Sequence, residues 1–81
     1  MEDGEVGQLV VFGRTMGRKA IGRIEKINRV TYQIGLVETF HQVRRTYPVG
    51  SQFRVPPALC EDYHEWVGEF YKNMMRVRNN A

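Results

Sequence analysis

Arginine is the side chain with the clearest chemical potential in this 81-residue chain, and it is concentrated in the middle. Residues 8–57 carry nine cations against two acids, so nine minus two gives a net charge of +7, and seven of the nine are arginine. The planar guanidinium group binds phosphate through paired hydrogen bonds and stacks on bases. Such a segment predicts an anionic partner, either nucleic acid or an acidic protein surface.

The cations best suited to phosphate lie on the glycine-containing segment GRTMGRKAIGRIEKINR and on a later arginine pair. We predict that folding brings them to one exposed surface, where each phosphate contact releases counterions and makes binding sensitive to salt. Phe40 and His41 are candidates for stacking on unpaired bases. The predicted phosphate contacts are Arg14, Arg18, Lys19, Arg23, Arg29, Arg44 and Arg45.

The alternative is that these arginines form ordinary solvated strand faces, partly neutralised by Glu25 and Glu38. The glycines do not decide between the two, because no GxxxxGK[ST] or GxGxxG pattern is present. Arg45 alternates with Val43 and Tyr47, so two placements are equally open: on the inner face with its head at the rim, or outward by way of a bulge.

No other group of residues predicts chemistry. Cys60, Asp62 and His64 form a CxDxH arrangement, but a structural zinc site needs four nitrogen or sulfur ligands and the only other histidine is His41. We predict instead that Cys60 is a small buried residue and that His64 is exposed. Nothing pairs a nucleophile with a base, so we expect neither an enzyme nor a metal or other cofactor.

The composition is that of one small domain. The single cysteine favours a reducing, cytoplasmic location. No apolar run approaches the roughly 20 residues of a membrane span, and the start MEDGEVG is unlike a signal peptide. We divide the domain into an acidic segment at 1–7 (Glu2, Asp3 and Glu5), a β unit at 8–57 and a helix at 58–78.

Alternation of apolar and polar residues predicts five short strands, followed by one helix. The clearest strand is 30–37, where Val30, Tyr32, Ile34 and Leu36 fall on one face. The second strand alternates imperfectly, which predicts a bulge near Gly22. The predicted strands are 8–12, 19–27, 30–37, 43–47 and 52–55. This number of strands favours a small, strongly bent barrel.

From about residue 61 the apolar period becomes three to four residues, which predicts an amphipathic helix with Glu61 and Asp62 in its first turns. We expect its apolar stripe to pack on the barrel and complete the core. The other possibility is a homodimer seam or groove contact formed by Met74, Met75 and Val77. The stripe comprises Tyr63, Trp66, Val67, Phe70, Tyr71, Met74 and Val77.

Residues 7–38 contain Gly7, the strand LVVF, Gly13 and Gly17, and then GRIEKI from Gly22 to Ile27. In this order they resemble the KOW motif of SH3-like barrels, found in ribosomal proteins and transcription elongation factors. The later piece YPVGSQFRVPPAL looks like the end of other small SH3-like barrels. The resemblance implies a five-stranded SH3-like barrel followed by one C-terminal helix, in a group that binds RNA, DNA or proteins rather than catalysing reactions.

We therefore expect a non-enzymatic nucleic-acid-binding domain of low sequence specificity, with RNA favoured over DNA because of the KOW resemblance. The alternative is a protein-interaction module, an adaptor or inhibitor, that docks on a larger partner through its loops or helix, as a monomer or homodimer. A third possibility, an aromatic cage for methylated side chains, requires Phe40 or Tyr47 to be exposed.

Overall fold

The computed structural model describes residues 1, 3–14 and 17–79, with residues 77–79 described by their backbone alone. The fold is mainly β with a C-terminal helix, as the sequence predicts. A 3₁₀ turn at Pro57–Leu59 precedes the last strand. The elements are β1 (Leu9–Phe12), β2 (Ala20–Ile27), β3 (Tyr32–Leu36), β4 (Phe40–His41), β5 (Thr46–Tyr47), β6 (Gln52–Val55), β7 (Cys60–Asp62) and α1 (Tyr63–Asn79).

Five strands form one antiparallel sheet in the order β6-β3-β2-β1-β7, while β4 and β5 form a separate hairpin. Within the described residues the sheets are not closed into a barrel, because β6 and β7 remain the two edges. The large sheet is nevertheless strongly bent. Phe12 and Phe53 lie three strand positions apart, roughly 14 Å in a flat sheet, yet their ring centroids are 5.7 Å apart.

The core is built by alternate residues of these strands, because successive side chains point to opposite faces. On β3 the buried side chains are Tyr32, Ile34 and Leu36, as the alternation predicts. Val30 was expected on the same face but is 73% exposed, since it lies in the turn before β3 begins. The core cluster comprises Val10, Phe12, Ala20, Ile24, Tyr32, Ile34, Leu36, Val55 and Cys60.

The irregularity in β2 lies further along the strand than the sequence indicates. The register against β3 shifts between Ile24 and Lys26, so the predicted bulge near Gly22 is wrong. Gly22 serves close packing instead. A Cβ atom there would lie 2.5 Å from Ile34 Cγ2 and 2.7 Å from the backbone oxygen of Gly35.

The predicted strand 43–47 is wrong in its first half. Val43 is 95% exposed and lies in a turn that is closed by a hydrogen bond from Gln42 N to Arg45 O (2.8 Å). The residues that do form strands here are the two antiparallel pairs of the β4–β5 hairpin, Phe40 with Tyr47 and His41 with Thr46. An apolar residue in a turn produces the same local signal as a strand residue, which explains the error.

The sequence prediction also misses β7. Cys60–Asp62 pairs with β1, so Glu61 and Asp62 precede the helix rather than lie within it. Asp62 caps α1, because its carboxylate accepts hydrogen bonds from Gln8 Nε2 (2.9 Å) and from the backbone N–H of Glu65 (3.1 Å). The Gln8 side chain first, and then the Glu65 N–H, hold the pKa of Asp62 below its usual value.

Two sequence predictions near this junction are confirmed. Cys60 is buried, and this burial raises the pKa of its thiol. His64 is exposed.

Helix α1 packs on β1 and β7 through its first two turns. Val11 is 1% exposed but points away from the core cluster, so we infer that α1 covers this outer face of the sheet. Beyond these turns the apolar stripe is exposed, so the expectation that the whole stripe completes the core is wrong. Its exposed members are Phe70, Tyr71 and Met74, and these residues and the neighbouring Met75 are 47–62% exposed. The Val77 and Arg78 side chains lie outside the described residues.

The predicted acidic segment 1–7 is attached to the sheet. Gly4 N donates to the hydroxyl of Tyr32 (3.0 Å), and Gly7 N donates to Ile24 O (2.7 Å). Met1 packs against the core cluster. Glu2 lies outside the described residues, while Asp3 and Glu5 are exposed.

Candidate nucleic-acid interface

A cleft of about 380 Å³ lies between the start of β2, the segment before β4, and α1. Such a volume is within the range of roughly 300–1,000 Å³ found for small-molecule sites. Four of the nine predicted site residues line this cleft: Arg18, Lys19, Phe40 and His41. Folding therefore brings together two cations and two rings that are separated by about twenty positions in the chain.

Local backbone geometry places the two cations in the lining of the cleft. The β1–β2 loop bends at Gly13, whose φ of 145° lies in the region that favours glycine. Arg18 Nη1 donates to His41 O (3.0 Å), which ties the loop to β4. Lys19 Nζ donates to Gly13 O (3.3 Å) within the loop itself. Both cations are thus held by backbone oxygens rather than by carboxylates.

Aromatic rings form the second component of the cleft. Phe40 lines it and is stacked on Tyr47, with centroids 6.3 Å apart and an interplanar angle of 21°. Trp66 of α1 also lines it and is stacked on Phe70 at 6.4 Å and 25°. Each of these two rings is therefore supported by a neighbouring ring, which restricts its orientation before any ligand binds.

Trp66, the only tryptophan in the sequence, is one of two site residues that sequence reasoning missed, and Glu38 is the other. Trp66 belongs to an amphipathic stripe, and such residues usually pack in a core. The signal that distinguishes it is positional. Trp66 follows the helix start by only three residues, so it lies beside β1 and next to the outer-face residue Ile21.

Four further predicted cations lie on the elements around the cleft. Arg14 is exposed on the same loop as Arg18, and Arg23 is exposed one pleat beyond Ile21 on β2. The Arg23 guanidinium donates to Gly7 O (3.0 Å). Arg44 and Arg45 are exposed in the turn of the β4–β5 hairpin.

Of the two placements that the sequence leaves open for Arg45, the structure shows the outward one. Its guanidinium carbon lies 5.3 Å from the centroid of the Tyr47 ring, in a cation–π contact on the surface. Tyr47 is half-buried between this contact and the rings of Phe40 and Phe53.

Arg29 does not join this group. It lies in the turn after β2, at the opposite end of that strand from Lys19. Eight strand residues separate the two ends by roughly 23 Å. The structure therefore places six of the seven predicted phosphate contacts on elements around the cleft and the seventh far from it.

The cations around the cleft have little local compensation. Among the residues that the structure describes, the one ion pair joins Lys72 to Glu69 on α1 (3.8 Å). Glu25 lies on β2 near the backbone of Gly35, away from the cleft. Glu38 is the exception, because it lines the cleft itself. In the described part of the chain, no group of three metal-ligating side chains comes together.

Comparisons with protein-family models, curated proteins and solved structures found no match to this chain. The structure itself therefore defines the class of protein. It is a small, mainly β domain with a C-terminal helix and a cleft lined by cations and aromatic rings. Over the described residues, α1 lacks the apolar character that a membrane-spanning helix needs.

Proposed function

We propose that this protein is a non-enzymatic domain that binds nucleic acid through the cations and rings around the cleft. The observation that carries the proposal is the meeting of Arg18 and Lys19 with Phe40, His41 and Trp66 in one cleft. Cations that neutralise phosphates, next to rings on which bases stack, are the two components of single-strand recognition. The phosphate contacts carry no sequence information, so they give low specificity.

We further propose that the sheet is an open relative of the SH3-like barrel, with RNA favoured over DNA because of the KOW resemblance. Two features support this. The last strand, β7, returns beside β1 after a meander of antiparallel strands. The contact of Phe12 with Phe53 across the core bends the sheet in the way that a small barrel requires.

Salt dependence tests the proposal quantitatively. If all six cations around the cleft contact phosphates of a single strand, the slope of log K against log salt is about −0.7 × 6, or roughly −4. Affinity then falls about 300-fold between roughly 50 and 200 mM salt. Fluorescence anisotropy with labelled RNA and DNA strands of about 12 nucleotides, and with a duplex, measures this slope.

A matched pair of double variants locates the binding surface. Arg18→Ala with Lys19→Ala removes two cations from the cleft, and we expect the slope to become less negative by about 1.4. Arg29→Ala with Arg54→Ala removes the same charge at the other end of the sheet, and we expect a change of less than about 0.5. An absence of binding at low salt, or equal losses in both doubles, refutes the proposal.

A second candidate function, protein interaction, is favoured by the exposed half of α1. Acidic Glu65 and Glu69 lie in its first half, and Lys72 and Arg76 in its second. Two copies of α1 packed antiparallel would place each acidic half beside a basic half, which makes a second copy of this chain the best-matched occupant. The four exposed apolar side chains fall short of a standard interface of about 1,600 Å², so we expect weak association.

Sedimentation velocity over a range of protein concentrations tests this second candidate. We expect a dimer that dissociates on dilution and that is lost in Phe70→Glu. The control, Val43→Glu, introduces the same charge on an exposed turn and leaves association unchanged. A monomer at every concentration excludes the helix seam, and docking on a different protein then becomes the remaining form of the interaction hypothesis.

A further inference from the structure

The cleft contains one acidic side chain, Glu38, among its cations and rings. Glu38 lies two residues beyond the end of β3, next to Val37, whose backbone N–H donates to Ile21 O (3.1 Å) and fixes the chain beside β2. It is exposed, and among the described residues no cation lies within ion-pair distance of its carboxylate. Its acceptor oxygens are therefore open to a ligand.

A carboxylate at this point argues against a phosphate in the cleft itself. An ionised carboxylate only accepts hydrogen bonds, and it repels an anion at close range. The neighbouring Arg18 and Lys19 also line the cleft but already donate to the backbone oxygens of His41 and Gly13, so they suit phosphates on either side of a bound base. A group that satisfies both the Glu38 carboxylate and the rings is flat, aromatic and rich in N–H donors.

We propose that the cleft binds one unpaired guanine base, which stacks on Phe40 or Trp66 and is selected by Glu38. This inference rests on the proposed nucleic-acid function and adds a base-specific subsite to it. Guanine presents two adjacent donors, N1–H and the N2 amino group, on its Watson–Crick edge. These two donors match the two oxygens of a carboxylate.

The other bases match Glu38 less well. Adenine and cytosine each place a ring-nitrogen acceptor beside the amino donor, and uracil flanks its single N–H with two carbonyl oxygens. Each of these acceptors would face the carboxylate and be repelled by it. A good two-bond contact to one base discriminates by roughly five- to a hundredfold, so a measurable preference is expected. Because the edge is free only in an unpaired base, the preference belongs to single strands.

The test uses oligouridine strands of about 12 nucleotides that carry guanosine, adenosine, cytidine or inosine at one central position. Anisotropy reports binding, and the fluorescence of the single tryptophan, Trp66, reports stacking in the cleft. We expect the guanosine strand to bind at least fivefold more tightly than plain oligouridine and to quench Trp66 more strongly. Inosine lacks the N2 amino group, and we expect it to lose most of that preference.

Glu38→Gln removes one acceptor and adds a donor. For this variant we expect the dissociation constants of the guanosine strand and of plain oligouridine to differ by no more than about twofold. We also expect it to bind plain oligouridine at least as tightly as the wild-type protein does. Glu25→Gln makes the same change outside the cleft and retains the guanosine preference. The inosine comparison requires no variant, so it holds even if Glu38→Gln folds poorly.

The outcomes separate the two proposals. Equal binding of all strands by the wild-type protein overturns the guanine subsite and leaves the proposed function standing. A guanosine preference that survives in Glu38→Gln, or that inosine reproduces, also overturns the subsite. If no strand binds at low salt, both proposals fail.

Discussion

Gly22 offers the sharpest test of the sheet that supports the cleft. It lies on the core face of β2 and is followed by Arg23 on the face that carries the cleft. A methyl group at Gly22 would lie 2.5 Å from Ile34 Cγ2 and 2.7 Å from Gly35 O. Ile34 is fully buried and Gly35 contributes backbone, so neither neighbour can turn away.

The cost of Gly22→Ala follows from this crowding. Overpacking a core typically costs about 1–3 kcal/mol, and a clash with backbone belongs at the upper end. A domain of this length has a total unfolding free energy of roughly 4–12 kcal/mol. A loss of about 3 kcal/mol lowers Tm by roughly 12–24 °C for a domain of this size. The variant should therefore be partly unfolded at temperatures where the wild-type protein is native.

Gly68→Ala is a matched control with the opposite expected sign. Gly68 lies within α1, and no atom comes within 4 Å of the position its Cβ would take. Alanine favours the helix by about 0.5–1 kcal/mol over glycine, so Tm should rise by roughly 2–8 °C. Circular dichroism melts of both variants measure the pair. If Gly22→Ala melts within about 4 °C of wild type, the β2–β3 register described here is wrong.

Three further predictions concern the helix cap, the thiol and the hairpin. Asp62→Ala should cost about 1 kcal/mol at neutral pH, and Asp62→Asn should cost less because asparagine is also a good N-cap. The pKa of Asp62 is lowered in the folded state, so its carboxylate stabilises the fold at pH values above the unfolded pKa of about 3.9. This stabilisation should be lost as the pH falls through the folded pKa. Urea denaturation at several pH values should show the loss for the wild-type protein but not for Asp62→Asn. Burial and a raised pKa should keep Cys60 unreactive toward a thiol reagent at pH about 8 until urea unfolds the chain. Val10→Ala should cost about 2–3 kcal/mol in urea denaturation, whereas Val43→Ala should change stability by less than about 0.5 kcal/mol.

Sequence periodicity anticipated the parts of the fold in which local pattern and burial coincide. The alternation around Ile34 marks a strand buried in the centre of the sheet, and the three-to-four period after Tyr63 marks the helix. The wrong secondary-structure predictions concern residues whose conformation depends on contacts with residues distant in the sequence. Val43 has the side chain of a strand residue but lies in a turn, and Cys60–Asp62 becomes a strand because β1 offers it an unpaired edge.

The candidate site was predictable in its charges but not in its shape. The composition of the central segment indicates Arg18 and Lys19 as candidate ligands for an anion. Their position beside Phe40 depends on how the strands are arranged, which is visible only in the structure. From the sequence alone, Trp66 is expected to be a core residue and Glu38 to be a charge that neutralises the neighbouring arginines. Nothing local distinguishes those roles from lining a cleft, because the distinction depends on which face of the sheet the helix covers.

The cleft is lined by Ile21 on the outer face of β2 and also by Ala20 and Phe40, which belong to or pack against the core cluster. On β2, Ala20 and Ile24 point into the core, while Ile21 and Arg23 point to the face that carries the cleft and α1. Substitutions of Ile21 or Arg23 should therefore alter the proposed binding with little effect on the core. The exception is α1. Because Trp66 lines the cleft from α1, the contacts that hold the start of this helix on β1 and β7, including the Asp62 cap, support the site as well as the fold.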